Sequence, residues 1–145
     1  MAKFKFKFSS VKKVKEALEK KAQKELALID LHIDQHEQLK LKLLDEINSI
    51  RRSVYNKKIS AADLSFNSQY KSSLQNKIKE NDKEIKTLEK QKSEKVEEVI
   101  QKTIEKKMLI KLEQNHFEEF TTVENKNELK DFDELAVQKF ARTNK

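Results

Sequence analysis

Residues 11–54 read VKKVKEALEKKAQKELALIDLHIDQHEQLKLKLLDEINSIRRSV, and a single apolar stripe runs through them. Val11, Val14, Leu18, Ala22, Leu26, Ile29, Ile33, His36, Leu39, Leu43, Ile47, Ile50 and Val54 recur at steps of three and four. The mean step is close to the 3.6-residue turn of an α-helix, and the stripe is as narrow as a coiled-coil seam. A second stripe follows at Leu74, Ile78, Ile85, Leu88, Val96, Val99, Thr103, Ile110, Phe117 and Phe120, with polar residues at Asn81, Lys92 and Lys106. Composition agrees. The 145 residues include no Gly, Pro, Cys or Trp. At usual frequencies of roughly 7% Gly and 5% Pro, losing both by chance has a probability on the order of one in ten million or less. Those two residues punctuate tight turns, left-handed backbone and helix ends. Their absence argues against hairpin-rich sheets, phosphate-cradling loops and compact many-loop enzymes. The 39% charged residues and mean hydropathy of -0.89 suit a coiled coil or a disordered chain. The periodicity selects the coiled coil.

One break separates the stripes. Asn56 is suited to the left-handed conformation that commonly follows a helix end, and residues 57–59 would form the connection. Ser60 is a good N-cap, and Asp63 three residues on resembles a capping box. The expected fold is all-α, a long two-helix antiparallel coiled-coil hairpin whose second helix is the longer. Its parts are an extended arm over 1–9, a helix over 10–56, a turn over 57–60, a helix over 61–142 and a frayed tail over 143–145. Thr121, Thr122, Val123, Asn125 and Asn127 are poor helix formers, so a break near 121–127 is expected. At 1.5 Å per residue the helices span roughly 75 and 120 Å. A short connection makes them antiparallel neighbours, with residue i opposite roughly residue 120 − i and an overhang of some thirty residues.

The longest apolar run is residues 26–29, too short to cross a bilayer. The basic N-terminus is not followed by the apolar stretch of a signal peptide. A chain without cysteine has no disulfide framework or thiol chemistry. A cytoplasmic location is the simplest expectation. Charge is uneven: residues 1–24 hold nine lysines against Glu16 and Glu19, whereas residues 113–134 hold eight acids against Lys126 and Lys130. Antiparallel pairing would bring these two stretches together and bias the register without adding much stability.

Phe4, Phe6 and Phe8 alternate strictly with Lys3, Lys5 and Lys7, the period of an extended strand. The plain reading is a frayed terminus, or Phe side chains folded back on the overhang. The functional readings are insertion into a partner protein, contact with an anionic membrane surface, or stacking on nucleic acid. A protein partner is favoured, because the remaining helices carry no net positive face to follow a phosphate backbone.

The two ends of the chain carry a family resemblance. Phe4-Lys-Phe-Lys-Phe-Ser-Ser-Val11-Lys-Lys-Val14-Lys-Glu16 resembles the opening of the FliJ family, roughly Phe-x-Phe-x-Leu-x-x-Val-Leu-x-hydrophobic-Lys-Glu. Phe132-Asp-Glu-Leu-Ala-Val-Gln-Lys-Phe140-Ala-Arg142 resembles its closing stretch, Leu or Met-Asp-Glu-x-Ala followed by a basic and aromatic tail. Lys12 departs from the family's usual Leu, and Phe132 from its Leu or Met. The resemblance implies a non-enzymatic part of the bacterial flagellar type III export apparatus, similar to the γ subunit of rotary ATP synthases. Such a protein sits in the hexameric export ATPase FliI, promotes ring assembly, links the ATPase to the export gate protein FlhA and escorts export chaperones. It would lie in the cytoplasm, peripherally held at the inner face of the membrane at the flagellar base. Carried over by motif, the ATPase-facing residues are Phe4, Phe6, Phe8, Val11, Asp133, Glu134, Phe140 and Arg142, which would otherwise pack together at the open end of the hairpin. The gate-facing residues are Tyr70 and Leu74, on one helix face at i,i+4. Leu74 also fits an ordinary seam position, and Tyr70 is the better candidate because seams rarely prefer a phenol.

Other constellations carry less. His32 and His36 share a helix face at i,i+4, but Ile33 stands where a His-Glu-x-x-His helix needs glutamate, and a metal normally takes three or four ligands. Glu97–Glu98 and Glu118–Glu119 are adjacent carboxylates, yet two helices offer no pocket to desolvate them. No catalytic residue, metal or cofactor is expected, nor is nucleic acid as a partner. The alternatives are the equivalent stalk of a virulence type III secretion system, a generic coiled-coil scaffold or dimer, and a basic nucleic-acid-binding coiled coil acting through residues 3–24.

Overall fold

The computed structural model describes residues 2–56 and 60–144. Two helices make up nearly all of it: α1, Ser9–Asn56, and α2, Ala61–Thr143. The helices pack against each other as an all-α hairpin. The start of α2 is capped as its sequence demands. The Asp63 amide donates to Ser60 Oγ at 3.2 Å, and the Ser60 hydroxyl donates to Asp63 Oδ2 at 2.9 Å. Asp63 also sits in the first turn, where the helix dipole favours an acid, and Arg142 sits in the last, where it favours a base.

Two local expectations are corrected. Asn56 is the last residue of α1, and no described residue has positive φ. Left-handed backbone costs an L-residue about 1–2 kcal/mol, and Asn56 keeps the helical conformation instead. The expected connection over 57–59 lies outside the described residues. The expected break near 121–127 is absent, since α2 passes through without interruption. The Thr121 hydroxyl donates to the carbonyl of Phe117, and that of Thr122 to the carbonyl of Glu118, each at 2.9 Å. Both hydroxyls are thus satisfied inside the helix. Propensity differences of a few tenths of a kcal/mol per residue are too small to break it.

The chain divides into two compact units, Lys20–Ile100 and Met1–Glu19 with Gln101–Lys145. The core of the first is Leu43, Ile47 and Leu74, with Ile50 and Ile78 against it; Leu74 is the most enclosed side chain, 1% exposed. Seam position 81 is polar but satisfied. Asn81 is buried, its amide nitrogen donates to the His36 carbonyl, and its Oδ1 lies 2.7 Å from His36 Nδ1. Its rim carries Lys95–Glu25 at 2.6 Å, and Lys92–Asp30 and Lys40–Asp82 at 2.8 Å. The second unit pairs Lys12 with Glu113 at 2.6 Å, Lys15 with Glu105 at 2.9 Å and Lys106 with buried Glu19 at 2.9 Å. In either unit the paired residue numbers sum to between 120 and 125, close to the register expected from the sequence. Lys92 and Lys106, polar intrusions in the second stripe, are the cations of two of these pairs.

Truncating the most enclosed side chain tests the seam. Leu74→Ala is expected to cost about 2–3 kcal/mol in urea unfolding followed by circular dichroism, and a loss under about 0.5 kcal/mol would contradict it. The ion pairs set a pH dependence. A hydrogen bond from Lys95 holds the Glu25 carboxyl below its ordinary 4.5, and one from Lys15 does the same for Glu105. Carboxylates with lowered folded-state values stabilise the fold above that ordinary value and lose the contribution as pH falls through the lowered one. The melting temperature should therefore fall on acidification below about pH 4.5, and the Glu25→Gln, Glu105→Gln double variant should flatten that fall.

Candidate functional site

The arm that precedes α1 has no regular structure over residues 2–6 and lies against α2. It turns at Lys7 and Phe8, where the Ser9 amide donates to the Phe6 carbonyl at 3.2 Å, so the strand period expected over 1–9 stops short of the helix. Phe4 packs on Phe117 and Phe120 at centroid distances of 5.3 and 5.6 Å, the first edge-to-face at 77°. Phe6 packs on His116 at 5.8 Å and on Phe8 at 5.9 Å, and is only 8% exposed. These separations lie in the favourable range for aromatic pairs, each adding about 0.5–1.5 kcal/mol beyond burial. Lys3, Lys5 and Lys7 are all exposed, and so is Phe8, at 36%. The Lys7 ammonium stands 5.9 Å from the centroid of the Phe8 ring. Val11 is exposed beside this cluster. Phe117 and Phe120 were legible as seam residues, and the register expected from the sequence sets residue 4 opposite roughly residue 116, close to the contacts observed.

The C-terminal candidates stand apart from the arm. Asp133, Glu134, Phe140 and Arg142 are all exposed, Phe140 at 70%. At 1.5 Å per residue, Phe140 lies about 35 Å along α2 from Phe117. The ATPase-facing residues inferred from the sequence therefore form two groups, a pinned arm and a bare helix, which are not in contact as one site.

In the unit Lys20–Ile100, the two gate-facing candidates part company. Leu74 is packed in the core with Leu43 and Ile47, so its side chain is not on the surface. Tyr70 is 42% exposed, and its hydroxyl donates to Glu46 Oε2 at 3.1 Å. That hydrogen bond to a carboxylate, with the charge of Glu46, pushes the phenol above its ordinary 10.0. The Phe66 ring stacks parallel on Tyr70, 5° between planes and 6.4 Å between centroids. Tyr55, Leu64 and Phe66 are exposed nearby, beside a shallow groove of about 420 Å³ that Ile50, Val54 and Leu64 help to line. Phe66 and Glu46 are additions to the site. The Phe66–Tyr70 spacing of four was the signal for the first, while Glu46 needed the register.

Binding chemistry dominates both units. Aromatic rings and charges lie at the surface, and among the described residues no group of three or more His, Cys, Asp or Glu side chains could hold a metal ion. No described helix is long and apolar enough to cross a membrane. Residues 4–145 match the family model described as "Flagellar FliJ protein". The chain belongs to the FliJ family. No curated protein and no solved structure gives a significant match. Membership makes this FliJ-family chain a component of the flagellar type III export apparatus. The match begins at Phe4, so the arm lies within it.

Burial of Phe6 predicts how the arm is held. Removing a buried Phe ring forfeits roughly 1.5–3 kcal/mol, so Phe6→Ala should release the arm and speed tryptic cleavage after Lys5 and Lys7 at least tenfold. Cleavage at the wild-type rate would show that Phe6 does not hold it.

Proposed function

We propose that this FliJ-family chain is the stalk-like component that engages the hexameric export ATPase, promotes its ring assembly and couples it to the membrane export gate. The reading rests on one observation. A fixed aromatic arm bearing exposed lysines and a bare helix over 125–143 occur together in one compact unit. Apolar rings left on the surface of a highly charged helix are anchors for a partner, and the charges beside them suit a steered, reversible contact. The ATPase-facing residues are Phe8, Val11, Asp133, Glu134, Phe140 and Arg142. Phe4 and Phe6 act by holding the arm in shape. Tyr70 is the gate-facing residue, with Phe66 beside it, and Leu74 supports that surface from the core. Export chaperones are a third class of partner, within the same family role. This reading implies a cytoplasmic protein held peripherally at the inner face of the cell membrane, at the flagellar base.

ATP hydrolysis by the cognate export ATPase, with and without this chain, tests the reading. The intact chain should stimulate hydrolysis, and changing Phe4, Phe6 and Phe8 together to Ala should abolish the stimulation. Stimulation that survives this change but not Phe140→Ala with Arg142→Glu moves the contact to the bare helix. No stimulation and no ring assembly would leave the hairpin a scaffold. Tyr70→Ala should weaken binding of the gate protein about tenfold, the effect of losing one aromatic anchor, and leave stimulation intact.

A further inference from the structure

The bare part of α2 carries an unpartnered seam of its own. Leu129, Phe132, Ala136 and Phe140 follow at steps of three, four and four and therefore share one helix face. All four are exposed, Phe132 at 67%. The flanking charges indicate what would cover this face. Glu128 and Lys139 lie on one edge of the stripe, the acid towards its N-terminal end and the base towards its C-terminal end. An edge ordered in this way is complementary to itself when a second copy lies antiparallel.

We infer that residues 124–142 pair antiparallel with the same residues of a second copy of the chain, about a two-fold axis near residue 134. One register matches the apolar residues and one charged pair, although Asp133, beside Phe140 on the other edge, then faces its own copy near the axis. Phe132 of one copy meets Ala136 of the other, a large side chain against a small one, and Leu129 meets Phe140; the numbers sum to 268 and 269. Glu128 then meets Lys139, at a sum of 267. Residues on the same edge of the seam face each other in an antiparallel pair, and the two-fold axis repeats each contact. The spread of these sums is smaller than the spread between Lys15–Glu105 and Lys12–Glu113, at sums of 120 and 125, where α1 packs on α2. A contact about 27 Å long between two helices buries less than the roughly 1,200 Å² at which stable interfaces begin. Association is therefore weak and reversible. It does not depend on the ATPase reading, and the two uses of this face exclude each other.

Sedimentation equilibrium of the full chain at low salt, from about 5 to 300 µM, tests the pairing, because exposed charge pairs are least screened there. The wild-type mass should rise from 17.2 kDa towards twice that value, with half-association in the range of roughly 10–100 µM. Phe132→Asp should remain monomeric. Glu128→Lys and Lys139→Glu should each weaken association at least tenfold, since each sets like charges face to face twice. An equal mixture of these two variants should associate again, because every contact between positions 128 and 139 then joins a lysine of one variant to a glutamate of the other. The wild type staying monomeric over the whole range would overturn the pairing. So would a dimer that Glu128→Lys leaves unchanged, or a mixture of the two variants that fails to associate.

Discussion

Two helices lying side by side can bury only one stripe of each, and everything else in this chain follows from that constraint. The seam has no third layer to shelter it, so its most enclosed residue, Leu74, is backed by only a few neighbours in Leu43, Ile47, Ile50 and Ile78. Charged residues close the edges of the seam. Lys92 reaches Asp30 and Lys95 reaches Glu25 along one unit, while Lys12 and Lys15 reach Glu113 and Glu105 in the other. Each such pair contributes little by itself, but their spacing agrees with one antiparallel register and disfavours others.

The same constraint leaves most side chains at the surface, and aromatic residues are held there in two ways. In the arm, Phe4 and Phe6 fix the segment before α1 to α2, and three lysines are exposed beside them. In the unit Lys20–Ile100, Phe66 and Tyr70 stack on each other and remain at the surface, with the phenol held by Glu46. Membership of the FliJ family makes the chain a component of the flagellar export apparatus.

Much of the fold was legible in the sequence because helix periodicity is a local signal. The stripe from Val11 to Val54, the capped start at Ser60 and the antiparallel register could all be read from spacing. What escaped depended on contacts between distant residues. Asn81 reads as a lapse in a stripe, and only its neighbour His36 shows it to be a bonded pair. Thr121 and Thr122 read as helix breakers because intrinsic propensity ignores the carbonyls one turn back, which accept their hydroxyls. For the candidate site, residue type separated Tyr70 from Leu74 correctly as surface and seam. In the arm, the plain reading of Phe side chains folded back on the second helix agrees with the contacts of Phe4 and Phe6, whereas the strand period gives way to a turn at Lys7 and Phe8.

The bond between Asn81 and His36 has a mechanical consequence. Apolar seams tolerate sliding, since one leucine replaces another after each turn. An amide set among hydrocarbon tolerates it less, because a shift of one turn towards Leu39 would take its acceptor away from the His36 ring, at a cost of about 1–3 kcal/mol for the stranded group. The pair therefore acts as a one-way index mark within its unit: a load that drives Asn81 towards Leu39 is resisted, whereas a slide the other way brings it to His32, one turn back on the same face.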